Sequence, residues 1–277
     1  MKLGYYPGCS LHSTARDYDE SVHAVCDALD IELVELPEWN CCGASSGGIL
    51  DHNQSVGLSA RNLGIAAGLE LPVFAPCAAC YNRLKTAQAD LAAHPALLSE
   101  FDLDASALGV RVVNMIELLA APELAEKLAA AVKAPLTGMR PAAYYGCLLL
   151  RPLAANAFDD IEQPTSFERI LDILGAEPIE WYSKTDCCGA SLAATRSDVA
   201  CHLCDDIVAR ARKAGATSLA TACPLCQMNL ETRQTAAAAS RMPIFYVTDL
   251  IGIALGIPGP KLGLTRHIVD VRPAMSV

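Results

Sequence analysis

Cys41-Cys42-Gly43-Ala44-Ser45 returns later in the chain as Cys187-Cys188-Gly189-Ala190-Ser191, and this echo decides the fold. In both places thirty-four residues separate the cysteine pair from a Cys-x-x-Cys, Cys77/Cys80 first and Cys223/Cys226 second. The offset is 146 for all four of these cysteines. Upstream, Cys9 follows Gly4-Tyr5-Tyr6-Pro7-Gly8, and Cys147 follows Ala143-Tyr144-Tyr145-Gly146, at an offset of 138. Ten of the thirteen cysteines therefore form two matched sets of five, a regularity that chance composition does not produce.

A period near 140 in 277 residues fits two duplicated domains, 1–137 and 138–277, joined near Pro135-Leu136-Thr137-Gly138-Met139-Arg140-Pro141. The net charge of -10 and pI near 5.0 oppose a general affinity for nucleic acid, which asks for a basic face. The N-terminus lacks the apolar core of a signal peptide, and no run approaches the roughly 18 apolar residues of a membrane span, so a cytoplasmic protein is expected. In a reducing compartment, thirteen cysteines point to metal or redox chemistry rather than structural disulfides.

Short β-like runs alternate with helical periodicity. Leu3–Tyr6, Glu32–Leu36, Val73–Ala75 and Val110–Val113 read as strands in the first half, with Ala142–Tyr145, Pro178–Tyr182, Ser218–Thr221 and Ile244–Val247 in the second. Helices are expected from about Tyr18 to Leu29, Gln54 to Ala67, Tyr81 to Leu91 and Asp198 to Lys213, with a pair between Met115 and Ala134 broken at Pro122. The expected fold class is α/β, with two pseudo-symmetric lobes. Each is a small, mostly parallel sheet flanked by helices. Every cysteine cluster then leaves the carboxyl end of a strand, where open α/β sheets bind their ligands. Cys77 and Cys80 fall at a helix N-terminus, where backbone N–H groups favour thiolate.

Three chemistries suit five cysteines per half. Structural zinc takes four tetrahedral ligands and leaves the fifth thiol without a task. Thioredoxin-type dithiol exchange needs one Cys-x-x-Cys and explains neither the vicinal pairs nor the upstream cysteines. Iron–sulfur ligation by thiolates fits best, although an ordinary cubane also needs only four.

The repeated pattern of Cys, Cys-Cys-Gly and Cys-x-x-Cys resembles the duplicated CCG domains in the B-type subunit of the heterodisulfide reductases. Tyr6-Pro7-Gly8-Cys9-Ser10-Leu11-His12 and Tyr145-Gly146-Cys147 with Arg151-Pro152 extend the likeness over essentially the whole chain. The resemblance implies two noncubane [4Fe-4S] clusters. One would be held by Cys9, Cys41, Cys42, Cys77 and Cys80, the other by Cys147, Cys187, Cys188, Cys223 and Cys226. It further implies an oxidoreductase that splits or forms a disulfide or persulfide bond, each cluster supplying one of two electrons. A ferredoxin-like iron–sulfur subunit and a flavin subunit are its implied partners. No Gly-x-Gly-x-x-Gly stands in this chain, so flavin or nicotinamide chemistry would come from such a partner. Tyr144, Tyr145 and Leu148 stand where methanogen members tend to carry histidines, which argues against the coenzyme M–coenzyme B heterodisulfide as substrate; the alanine-rich sequence resembles instead the heterodisulfide reductase-like complexes of sulfur oxidisers, which implies protein-carried sulfur. The rival readings are a CCG subunit that passes electrons from a glycolate-, lactate- or succinate-type dehydrogenase toward quinone, and a zinc-stapled binding module.

Arg151 is the candidate catalytic cation, since a positive charge beside an anionic cluster or substrate is favourable. His12, Arg16, His52, Lys184 and His267 are candidates for lining the same cleft. Cys26 reads as a core residue. Cys201 and Cys204 match Ser55 and Leu58 under the 146 offset, so they stand outside the repeat and read as helix contacts. The segment from Thr265 to Pro273 is either a docking tail or a surface wrap.

Overall fold

The computed structural model describes residues 1–44, 47, 51–151 and 158–275; Ser45, Gly48 and Pro152 lie outside these. Two parallel sheets organise the chain. The first has the order β2-β1-β3-β4, with β1 Lys2–Tyr5, β2 Glu32–Glu35, β3 Val73–Phe74 and β4 Val112–Val113. The second has the order β5-β6-β7, with β5 Pro141–Tyr144, β6 Ser218–Thr221 and β7 Ile244–Tyr246. Strands buried on both faces need helical cover, and the intervening segments supply it.

In the first half the helices Arg16–Ala28, His52–Leu69 and Ala78–Ala93 join the strands. Val22, Val25 and Cys26 on the first of these are buried, as their spacing predicts. In the second half the corresponding helices are Ser166–Ile173, Ser197–Lys213 and Pro224–Thr232. The pair expected after Met115 is Met115–Ala120 and Pro122–Ala131, with Pro122 opening the second member. Proline suits that place because the first helical N–H has no partner in the helix.

One expected strand does not form. The segment from Pro178 runs beside β5, but it shares only the bond from the Ile179 N–H to the Pro141 carbonyl at 2.9 Å. Two residues on, the indole Nε1 of Trp181 donates to the Ala143 carbonyl at 2.9 Å, so a side chain satisfies an acceptor that a ladder N–H would otherwise meet. The second sheet therefore has three strands where the first has four.

Buried residues of both halves form one continuous apolar core, dominated by large rings such as Tyr5, Phe74, Phe167 and Phe245. At roughly 1.5–3 kcal/mol for each large side chain buried, this core is the main source of stability. The helix Arg16–Ala28 packs on the helix Val247–Ala254 across the seam, where the Ser21 and Thr248 hydroxyls lie 2.6 Å apart. The C-terminal segment wraps the body and buries Val269, Val271 and Ala274.

Candidate metal centre

Each cysteine run follows the carboxyl end of a strand or of the Ile179 segment. Cys9 comes four residues after β1, Cys77 three after β3, Cys147 three after β5 and Cys223 two after β6. Cys77 and Cys223 are N-caps of the helices Ala78–Ala93 and Pro224–Thr232, which places Cys80 and Cys226 in their first turns. The positive end of each helix dipole therefore faces sulfur.

The two halves build their sites with matched devices. Gly8 and Gly146 both adopt φ +67°, and a Cβ there would stand 2.7 Å from the Cys80 sulfur and 3.0 Å from that of Cys226. Gly43 and Gly189 turn the two Cys-Cys loops at φ +78° and +75°. The Tyr6 hydroxyl donates to the Asn40 carbonyl at 2.7 Å, and Tyr144 donates to the Asp186 carbonyl at 2.6 Å. Each tyrosine thus holds the residue just ahead of a cysteine pair. From the helix behind, Arg83 Nε donates to the Ala44 carbonyl at 2.6 Å, while Asn229 at the equivalent position donates to the Cys188 carbonyl at 2.5 Å.

The sulfurs gather within each half. Cys41 and Cys9 lie 3.6 Å apart, Cys42 and Cys80 3.4 Å, and Cys188 and Cys226 3.6 Å. All five cysteines of the second set wall a hollow of about 100 Å³, together with Ala78, Tyr145 and Leu225. At the seam the two sets adjoin: Ala78, the neighbour of Cys77, lines the second hollow, and Cys77 and Cys223 shift each other's proton affinity. Cys9, Cys41 and Cys187 are exposed and Cys147 is half-buried, whereas Cys42, Cys77, Cys80, Cys188, Cys223 and Cys226 are buried.

Shared thiol protons leave selected sulfurs poised as thiolates. Hydrogen bonds from Cys41 and Cys80 pull Cys42 down to about 3, helped by the Ala44 N–H and the Arg83 charge. Cys147, with the Gly189 N–H at 3.3 Å, draws Cys187 down to about 6 against its burial. Cys226 and Cys77 hold Cys223 well below the ordinary thiol range. Their partners move up in turn, Cys41 and Cys80 through Cys42, Cys147 through Cys187, and Cys226 through Cys188.

An all-thiol donor set, backbone N–H groups aimed at sulfur and glycines that make room for sulfur fit an iron–sulfur group in each half, and in the second half a hollow walled by five cysteines adds to the fit. Among the described residues no three Cys, His, Asp or Glu side chains gather round one ion-sized point. In the second half the sulfurs line the hollow instead.

The other candidates make contacts of their own. Arg151 pairs with Glu162 at 2.6 Å and donates from Nε to the Ile161 carbonyl at 3.3 Å. Its own carbonyl accepts from Asn82 of the first half at 2.9 Å. His12 pairs with Glu35 at 3.3 Å and packs edge-on against Trp39, near exposed Cys9. Arg16 is exposed at the start of its helix, and exposed His52 faces Asp90 at 3.4 Å. Lys184 is buried against Glu168, whose other oxygen accepts from the Tyr145 hydroxyl at 2.7 Å. His267 is enclosed between Glu231 and Asp249. Cys204 donates to the Cys188 carbonyl at 3.4 Å and so backs the second loop.

Sequence reasoning missed Tyr18, whose hydroxyl lies 3.3 Å from the Pro76 carbonyl and 3.4 Å from that of Ala222. Those residues immediately precede Cys77 and Cys223. No motif marks this tyrosine, because its partners lie 58 and 204 residues away.

Fold and site together define a class: a duplicated α/β scaffold that presents two five-cysteine sites at its strand ends. The chain belongs to the cysteine-rich CCG domain family, whose model matches residues 3–85 and 142–231. Over 279 residues it is 32% identical to the 8-methylmenaquinol:fumarate reductase membrane anchor subunit of Wolinella succinogenes, covering 97% of both chains. It is 25% identical over 285 residues to the B-type subunit of the ferredoxin:CoB-CoM heterodisulfide reductase of Methanosarcina mazei, covering 97% of this chain and 94% of that one. A crystal structure of a hypothetical protein from Helicobacter pylori superposes with a TM-score of 0.77 at 14% identity, over 98% of this chain and 52% of that one. The chain thus spans about half of that structure's length, and the match concerns the fold. Among the described residues no helix is long and apolar enough to cross a membrane.

Proposed function

We propose that the chain is the iron–sulfur subunit of a multi-subunit oxidoreductase of the heterodisulfide reductase type, with one noncubane [4Fe-4S] cluster in each half. Cys9, Cys41, Cys42, Cys77 and Cys80 hold one; Cys147, Cys187, Cys188, Cys223 and Cys226 hold the other. The observation that carries this reading is the gathering of sulfurs within each half, with all five cysteines of the second set walling one hollow. Clusters of this kind pass electrons singly, and breaking a sulfur–sulfur bond takes two. The residues of this chain fix the geometry: Gly8 and Gly146 make room for sulfur, Arg83 and Asn229 hold the Cys-Cys loops, and Tyr18 ties the two Cys-x-x-Cys turns. Exposed Cys9, Cys41 and Cys187 set the outer edges of the sites toward a partner or substrate. On this reading the catalytic sulfur chemistry occurs at the second set, where a hollow meets the cysteines. A ferredoxin-like subunit supplies or removes the electrons, and a flavin subunit stands beyond it.

A second reading is favoured by the full-length likeness to the fumarate reductase subunit. There the same two clusters relay electrons between a dicarboxylate-oxidising or -reducing subunit and a quinone, and no sulfur substrate is bound. Anaerobic assay of the iron-loaded complex separates the two. Turnover of a disulfide or persulfide supports the first, and quinol-dependent fumarate reduction without sulfur turnover supports the second. Zinc in place of iron removes both.

A further inference from the structure

Behind the second cysteine set lies a buried cluster of charges that cluster ligation leaves unused. Asp249, on the helix Val247–Ala254, is fully buried. Its Oδ2 accepts from the Tyr246 N–H at 2.8 Å and lies 3.1 Å from His267 Nε2, while its Oδ1 is buried with no hydrogen-bond partner among the described residues. Glu231, on the helix that opens at Cys223, meets His267 Nδ1 at 2.9 Å and accepts the Ile268 N–H at 2.9 Å. From the helix Arg16–Ala28, Asp17 adds a third carboxyl group within electrostatic reach of His267. Tyr246 on β7 and Tyr18, which stacks on it, also face Asp249.

Both imidazole nitrogens face carboxylates, an arrangement that calls for the doubly protonated ring. One such cation cannot balance three buried carboxylates, and an uncompensated buried charge costs several kcal/mol. The unpaired Asp249 Oδ1 is the oxygen left open to a further proton when more negative charge arrives nearby. Burial raises both Asp17 and Asp249 above the usual carboxyl range, in keeping with that geometry.

The cluster is also wired to the cysteines. Gln227, the neighbour of Cys226, accepts the Tyr246 hydroxyl on Oε1 at 3.1 Å, and the Tyr246 N–H donates to Asp249. Tyr246 stacks on Tyr18 at 4.2 Å, and Tyr18 reaches the carbonyls that precede Cys77 and Cys223. An electron arriving at the second set therefore adds negative charge close to an already anionic, poorly solvated cluster, where charges interact strongly. On the outer side, a surface hollow of about 420 Å³ reaches His267 and Ile268 and gives water an approach.

We propose that Asp249, supported by Asp17, Glu231 and His267, is a proton-storing site coupled to the redox state of the second cysteine set. One proton from water settles on Asp249 Oδ1 for each electron that set receives, and it leaves when the electron leaves. The electron comes from a one-electron donor, the proton leaves hydroxide behind in bulk water, and no covalent bond to sulfur changes. This rests on the iron–sulfur reading above.

The test uses the iron-loaded chain. Its midpoint potentials are titrated between about pH 6 and pH 9, and a pH-sensitive dye counts protons taken up on reduction by dithionite. The second centre is expected to show a tenfold shift in its reduction equilibrium per pH unit, about 59 mV for one electron. Uptake of about one proton per electron at that centre should accompany it. In Asp249→Asn, which keeps the shape and loses the acid, both signals should vanish while the iron content holds. If that variant does not fold, the wild-type dye count decides alone, and no uptake overturns the proposal. A slope that survives in Asp249→Asn also overturns it, since the proton then binds elsewhere. Pure protein without iron sinks the iron–sulfur reading and this proposal together. Iron-loaded protein with pH-independent potentials sinks only the proton coupling.

Discussion

Gly8 stands so close to Cys80 that a Cβ on the glycine would lie 2.7 Å from the cysteine sulfur, nearer than real Cβ contacts come. The glycine is also at φ +67°, where a side chain adds about 1–2 kcal/mol of backbone strain. Gly146 repeats the relationship with Cys226 at 3.0 Å. Gly8→Ala is therefore expected to displace one sulfur of the first site, and Gly146→Ala one of the second. Iron analysis of each purified variant should show about half of the wild-type content, roughly four of eight irons. Full iron in both would mean that these glycines serve the turns alone.

Tyr18→Phe keeps the ring that stacks on Tyr246 and removes the hydroxyl shared by the Pro76 and Ala222 carbonyls. Both bonds are long, so the loss expected in chemical denaturation is modest, about 1 kcal/mol. The larger effect should be on the spacing of the two sites. In EPR, any magnetic interaction between the reduced centres should change in this variant while iron content stays constant.

The halves differ in charge where they match in position. Arg83 presses a cation on the first Cys-Cys loop, and Asn229 offers the second loop a neutral amide. A nearby positive charge stabilises the reduced, more negative form of a cluster. Two distinct midpoint potentials are expected, the higher belonging to the first site. Arg83→Gln should lower that potential toward the other and leave the second unmoved. A single shared potential in the wild type would remove this assignment.

His267 also sets a pH dependence of stability. Burial opposes its charge, but hydrogen bonds to Asp249 and Glu231 dominate and push the imidazole up to about 10 from its usual 6.5. A raised pKa in the folded state means that the contribution is complete below pH 6.5 and is lost as pH rises toward 10. Thermal unfolding under anaerobic conditions should therefore show a midpoint that falls across that window. In His267→Gln the fall should be absent, with the midpoint lower at the acid end of the window and meeting the wild type toward pH 10.

Much of this architecture could be read in the chain itself. Cysteine repeats at offsets of 146 and 138 define the two halves, because thiol side chains at fixed spacing leave a plain signature. Strand and helix periodicity placed the clusters at strand ends, and Cys77 does cap its helix as the alternation of segments implies. What escaped depends on contacts distant in sequence. The Ile179 segment looked like a strand, but Trp181 takes an acceptor of β5 with its indole, a substitution no local pattern reveals. Tyr18 and Asp249 are unremarkable in their own helices and acquire meaning only across the seam. The Arg151 guanidinium meets Glu162, a pairing that no local pattern signals.

The most direct test is iron and acid-labile sulfide analysis of anaerobically purified protein, joined to EPR of the same sample. About eight irons with matching sulfide, and a cluster signal unlike that of an ordinary cubane, are the predicted result. About two zinc ions per chain without sulfide would contradict the account at its root.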